Sequence, residues 1–385
     1  MKTIATWVSL VLVAGFLLAG CGSAAPGGAT QPTSQATQPG QPDWQQKWNT
    51  TVEAAKKEGT VTIYSIWSPE VRTALTQAFK DKYGIALEFS PFTRGSDLLV
   101  KVQAEQRAGL YNVDIFGAGN PTFLVNMKPE GVLGSLKPSL ILPEVLDGKG
   151  WRAGQVPFTD EQGSAISLVG LNIRTVAYNT EQVKNGEITG YPDFLKPQYK
   201  GKITMNDPSV TGAGNAVMSH LGGQLWDEAR ATDFLTRLIK DQKVNIERDN
   251  RIQMDGVARA KYAIAIAPLP EEVTRLMGVG APVKMGVVPE DNRITAGTGA
   301  MGVPPKFAHP NAAVVFINWI LSKEGMTVVA QAWANPSTRA DVPVTGIDPL
   351  LVPVAGQKYY GESEAALASR AKWLELAAKI MQQNQ

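Results

Sequence analysis

The chain has one cysteine, Cys21, and two histidines, His220 and His309, in 385 residues. A single cysteine excludes an internal disulfide, so burial alone must hold the fold. So few histidines and cysteines, none at zinc-finger spacing, leave a zinc site without its signature. Charge of one sign is also missing: 37 basic residues face 35 acidic ones, for a net charge of +2. That balance gives no field for gathering nucleic acid, and none is expected as a partner. After residue 21 no apolar run reaches the ~20 residues that a spanning helix needs. Gly-x-Ser-x-Gly is absent, and with it the signature of a nucleophile elbow. Gly297-Thr298-Gly299-Ala300-Met301-Gly302 has dinucleotide-loop spacing, but Pro304-Pro305 bar a helix from starting at its last glycine. It reads as a glycine-rich loop, and no cofactor is expected.

What is present begins at the N-terminus. Lys2 precedes an apolar run from Ile4 to Leu18, and Leu18-Ala19-Gly20-Cys21 closes it. A positive start, an apolar segment and small residues at the cut make a secretory signal. Ending on cysteine, the pattern resembles a bacterial lipobox, which implies acylation of Cys21 and removal of residues 1–20. In the tether, residues 21–42, everything after Cys21 is Ser, Ala, Pro, Gly, Thr and Gln without charge, too polar to fold. Such a tether reaches roughly 25 Å from a membrane. The expectation is an exported body held by lipid on the outer face of the cell membrane.

Order is expected from Asp43. Trp44, Trp48, Val52 and Ala55 recur at helical spacing up to Gly59. Thr60 to Ser65 reads as a strand, Pro69 to Tyr83 as a helix, and Ile85 to Ser90 as a second strand. Ser96 is expected to cap a helix to Arg107, followed by a buried strand at Val113 to Phe116. Alternation of this kind predicts parallel sheet covered by helices. A second α/β unit follows, with helices from Gly212 and Asp227, a strand at Tyr262 to Ala267 and another at Val283 to Val288. Helices Pro310 to Leu321, Glu324 to Trp333 and Glu362 to the end complete the chain.

Several stretches together resemble the extracellular solute-binding proteins of ABC importers, in the ferric-iron-binding branch. They are Ala54 to Gly59 leading into Val61 to Ser65; Gln103 to Gly109 running to Val113 to Phe116; Tyr199-Lys200-Gly201-Lys202-Ile203 with Asp207-Pro208-Ser209 and Gly212; and His309 to Ala313 with Phe316, Leu321-Ser322 and Glu324-Gly325. The resemblance implies an α/β fold of two lobes, a type II periplasmic-binding-protein fold with mixed sheets and two hinge crossover strands. Residues 43–165 would form the first part of lobe I, 166–285 lobe II, and 286–385 the return to lobe I with the C-terminal helices. The crossings are expected near Ile166 to Asn172 and Val283 to Val288. It also implies a solute receptor without catalysis, a monomer that delivers its solute to an ABC permease. An exported enzyme or sensor on the same fold is the alternative class.

Ligands in open α/β sheets sit beyond the carboxyl ends of the strands. The expected contacts are therefore Ser65, Trp67 and Ser68; Arg94; Asn120; and Asp207, Thr211 and Gly212, with Tyr178 and Arg251 at further turn or crossover positions. Ser68-Pro69 and Thr211-Gly212 open helices, whose free N–H groups favour an anion, although capping alone explains Ser and Thr there. Arg94 could clamp a carboxylate or phosphate, and Trp67 could wall the cleft or pack in a core. Iron-binding members carry adjacent tyrosines after a strand like Tyr262 to Ala267. Here that place reads Pro268-Leu269-Pro270-Glu271-Glu272, and the pair Tyr359-Tyr360 is expected outside the cleft. The expected solute is anionic or zwitterionic: a phosphonate, phosphorylated compound or carboxylate. Ferric iron, a polyamine or a thiamine-type solute are the alternatives.

Overall fold

The computed structural model describes residues 43–288, 290, 292–347, 349–354 and 357–384. The expected signal, lipobox with Cys21 and tether lie outside the described residues. In the first lobe, helix α1 (Asp43–Glu58) leads into β1 (Thr60–Ser65), α2 (Pro69–Tyr83), β2 (Ala86–Pro91), α3 (Gly95–Arg107), β3 (Ile115–Ala118), the short α4 (Pro143–Leu146) and β4 (Ala165–Ser167). The chain then runs through β5 (Leu171–Ile173) into β6 (Val176–Asn179), β7 (Ile203–Asn206), α5 (Ala213–His220), α6 (Glu228–Lys240), β8 (Asn245–Glu247), α7 (Asn250–Ala258), β9 (Ile264–Ile266), α8 (Pro270–Gly278) and β10 (Val283–Met285). It comes back through β11 (Arg293–Thr295) to β12 (Ala300–Gly302), α9 (Pro310–Leu321) and α10 (Lys323–Trp333), and ends in α11 (Glu364–Asn384).

Helix ends follow local chemistry. Proline stands at the first position of α2, and Gly84, in left-handed backbone, stops it by donating to the Lys80 carbonyl. Asp227 accepts from the Arg230 amide to start α6. Helix α3 starts two residues earlier than expected, with Arg94 in place of Ser96 at its cap and no side-chain cap bond.

The strands form two five-stranded sheets, ordered β2-β1-β3-β12-β4 and β10-β6-β9-β7-β8, and a two-stranded ribbon of β11 and β5. Each large sheet is mixed: β1, β2 and β3 are parallel while β12 runs against them, and β7, β8 and β9 are parallel while β6, antiparallel to both β9 and β10, runs against them. The returning strands β12 and β6, three and four residues long, make both sheets mixed, as the resemblance implies. The cores divide with the sheets. One set joins Ile63, Phe79, Ile166, Phe316 and Trp319, with Phe116 and Phe123 in a neighbouring cluster. The other joins Ile203, Met205, Phe234 and Ile264, with Met254 and Val273 nearby.

The crossover is the antiparallel ribbon, in which Ile173 faces Arg293 and Leu171 faces Thr295. This corrects the expected return at Val283 to Val288: those first residues, as β10, pair with β6 inside lobe II. The end of the chain is also corrected. Trp373, Ala377 and Ile380 of α11 are buried with Val217, Leu221 and Phe234, so the last helix docks on lobe II. Its apolar face at helical spacing finds a matching surface there.

Candidate functional site

A cavity of about 1270 Å³ lies where the ribbon, the two lobes and the C-terminal segment meet. The ribbon contributes Asn172, Arg174 and Arg293. Lobe I contributes Pro121, the loop Gly297-Thr298-Gly299 and Trp333. Lobe II contributes Gly212, Ala216 and His220 from the start and inner face of α5, with Ala267, Pro268 and Arg275. Tyr360, Gly361, Glu362 and Arg370 close the remaining side.

The backbone is shaped for this meeting. A Cβ on Gly119 would stand 2.4 Å from the Gly297 carbonyl oxygen, so only glycine lets the end of β3 approach that loop. Trp67 holds the same loop from behind: its Nε1–H donates to the Thr298 carbonyl at 3.1 Å. Ala267 has φ of 57°, left-handed backbone that a residue with Cβ adopts only at a cost of about 1 kcal/mol or more. Its amide donates to the Thr175 carbonyl at 2.7 Å, which fixes the strained turn against the ribbon.

Charge in the cavity is one-sided. Among the described residues, four arginines line it (Arg174, Arg275, Arg293 and Arg370), and Glu362 is the acidic residue that faces them. Arg275 is engaged by Glu272 at 2.7 Å and Asp255 at 3.0 Å, and these bonds raise its pKa. Arg370 reaches Glu362 at 3.3 Å. Burial pushes its pKa down, and the nearby charge of Arg293 pushes in the same direction, against the opposing pull of Glu362. Guanidiniums gathered on one cavity supply planar donors for an anion.

The expected site residues separate. Gly212 lines the cavity. Asn120 is 2 % exposed and touches Glu362, with Nδ2 at 3.0 Å from Ser167 Oγ and 3.5 Å from Glu362 Oε2. Ser65 and Trp67 are buried in the first lobe; Trp67 acts on the cavity through Thr298. Ser68 stands at the start of α2. Arg94 and Arg251 are exposed, at the starts of α3 and α7, and Thr211 is exposed beside Gly212. None of these lines the cavity, nor does Tyr178, which is buried on β6 with its hydroxyl 3.4 Å from Asn185. Asp207 is tied into its own turn: it accepts from Ser209 and pairs with Arg248 at 2.8 Å. Burial would raise its pKa, but those bonds outweigh it and hold the carboxyl below the usual range.

Sequence reasoning missed Arg174, Arg293, Arg370 and Glu362. Arg174 follows β5 and Arg293 opens β11, so placing the crossover correctly would have found them. It also put Tyr360 outside the cleft, whereas Tyr360 lines the cavity with its ring 5.1 Å from that of His220. Tyr360 is carried there by bonds to the ribbon's neighbours: its amide donates to the Asn292 carbonyl, and its carbonyl accepts from the Ile294 amide. Among the described residues no group of three or more His, Cys, Asp or Glu side chains could hold a metal ion.

Residues 74–347 match the family model of bacterial extracellular solute-binding proteins. Among solved structures, the chain is similar to IdiA (FutA) of Trichodesmium in complex with iron and citrate, at 17 % identity and TM-score 0.65, over 84 % of this chain and 99 % of that one. It is similar to iron-bound HitA of Pseudomonas aeruginosa, at 20 % identity and TM-score 0.58, over 83 % and 99 %. It is also similar to AfuA of Actinobacillus pleuropneumoniae with fructose-6-phosphate bound, at 19 % identity and TM-score 0.57, over 84 % and 99 %. No curated protein sequence matches the chain. At these identities the solved structures speak for the two-lobed fold.

Proposed function

The chain belongs to the bacterial extracellular solute-binding proteins, and from that premise we propose that it is the receptor of an ABC importer for an anionic or zwitterionic small molecule. The observation that carries the solute class is that four arginines and one glutamate are among the described residues lining the cavity. A cation entering there would meet like charge; a phosphate or carboxylate would meet planar donors suited to it. Binding between the lobes would favour their closed arrangement by differential affinity, and the closed form would dock on the permease. No chemical step is assigned to the protein, and we take it to act as a monomer.

We place the receptor on a lipid anchor at Cys21, because the apolar run before it ends in small residues and cysteine. Cys21→Ser should release the protein from membranes; a variant that stays in the membrane fraction sinks the anchor.

Thermal unfolding with inorganic phosphate, citrate, fructose 6-phosphate and spermidine tests the solute class. A bound anion at one hundred times its Kd should add about 2.7 kcal/mol of stability. Arg174→Ala should remove that response, and Arg94→Ala should keep it, since Arg94 lies outside the cavity lining. Stabilisation by spermidine and by none of the anions would overturn the reading.

A further inference from the structure

Residues past Ile347 lie beyond the family match, yet they reach into the cavity. The stretch before α11 crosses the ribbon, and Gln357 donates to Asn292 while Gln224 donates to the Gly361 carbonyl. Helix α11 then fastens the strap to lobe II through Trp373, Ala377 and Ile380, with Ser369 Oγ at 2.5 Å from Ser219 Oγ. Toward lobe I it makes polar contacts: Glu364 with Lys128 at 2.8 Å, and Glu362 with Asn120.

Glu362 has an unusual set of partners. Its side chain is 12 % exposed. Oε1 faces Arg370 of lobe II at 3.3 Å; Oε2 faces Asn120 Nδ2 of lobe I at 3.5 Å and the amide of Ala296, next to the ribbon, at 3.4 Å. One carboxylate thus gathers donors from both lobes and from the crossover between them. A charge-assisted bond to carboxylate ordinarily spans about 2.7–2.9 Å. All three contacts here are longer, so the donors hold the carboxylate loosely. Asn120 also retains an incompletely satisfied side chain: Oδ1 is buried without a hydrogen-bond partner among the described residues.

We propose that Asn120 Nδ2, the Ala296 amide and the Arg370 guanidinium form an anion subsite of the cleft, and that Glu362 is its built-in occupant. This rests on the receptor reading and goes beyond it. A carboxylate or phosphate group of the solute takes these donors and displaces Glu362, which swings with the strap while α11 stays docked. The strap is therefore a tethered competitor. Tethering of this kind gives an effective concentration of roughly millimolar, which sets a threshold that a solute anion must exceed. It also joins the lobes in the absence of solute.

The test compares the full chain with Glu362→Gln, a change that keeps shape and removes charge. Without any solute, hydrogen exchange over residues 357–363 should be about tenfold faster in the variant, while α11 keeps its protection. Equal exchange in the two proteins overturns the strap. Calorimetric titration with citrate and with inorganic phosphate should show at least one anion bound about tenfold more tightly by Glu362→Gln, as expected when a tethered competitor is removed. In the unmodified chain that anion should accelerate exchange over 357–363. Weaker binding by Glu362→Gln, or slower exchange of the strap on binding, would make Glu362 a ligand of the solute and overturn displacement. If neither anion binds either protein, the solute class fails, and the exchange comparison without solute still decides whether Glu362 holds the strap.

Discussion

The indole N–H of Trp67 donates to the carbonyl of Thr298, 3.1 Å away and 231 positions later in the chain. The bond couples the turn after β1 to the glycine-rich loop that lines the cavity, and Trp67 packs edge-on against Trp333 behind it, with ring centroids 5.7 Å apart. Trp67→Phe keeps most of the apolar surface and removes the donor. It should cost about 1 kcal/mol, a typical net hydrogen bond, and quicken exchange in residues 297–299. Trp67→Ala should cost about 3–5 kcal/mol, because it also leaves a cavity. Urea unfolding separates the two; equal losses would mean that the bond contributes nothing.

Gly222 carries the dock of the last helix. A Cβ at that position would sit 1.9 Å from Trp373 Cζ2, and Trp373 is 1 % exposed. Gly222→Ala must push the indole out of place, at about 1–3 kcal/mol for overpacking of a filled core. Limited proteolysis between 348 and 363 should become faster in the variant. Unchanged stability and unchanged cleavage would show that α11 tolerates displacement.

The two lobes were legible to different degrees, and the reasons are physical. In the first, Pro69 and Gly84 punctuate α2, and Thr60–Ser65 alternates as a strand should, so local chemistry places the elements. The ribbon was misplaced because Arg293–Thr295 is three residues long with no apolar run, while Val283 to Val288 looks more like a strand and pairs elsewhere. Gly212 and Asn120 were within reach because strand ends and helix starts point at clefts. Glu362 was not: its contact with Asn120 spans 242 positions, and nothing local marks a carboxylate that will meet an amide so far back.

Asp193 makes a pH-dependent contribution to lobe II. Burial would raise its pKa, but Lys196 at 2.8 Å and the amide and hydroxyl of Thr189, at 2.6 and 2.9 Å, outweigh that and bring it to about 2. The unfolded value is about 3.9. Between these values the unfolded chain binds more protons, so stability rises with pH across the interval. The contribution is fully present above about pH 4 and is lost as pH falls through 2. Asp193→Asn should therefore flatten the dependence of urea stability on pH in that window and leave the dependence above pH 5 alone. Identical slopes for variant and parent would refute the linkage.

Tyr360 decides how iron would behave in this cavity. A tyrosine phenolate is a hard ligand suited to ferric ion, and the ring lies in the lining. Its surroundings oppose that role. Lys358 Nζ stands 4.9 Å from the ring centroid, His220 packs against it edge-on, and the cavity arginines repel a bare cation. Tyr359 is turned to other partners, its hydroxyl donating to Gln357 Oε1 and accepting from the Val354 amide. Adding ferric citrate should therefore produce no visible tyrosinate-to-iron absorption, while citrate alone should bind. Absorption that appears in the unmodified chain and vanishes in Tyr360→Phe would overturn this and make Tyr360 a metal ligand. With the arginines taking the anion, citrate affinity should be the same within about twofold, or 0.4 kcal/mol, in Tyr360→Phe and in the parent.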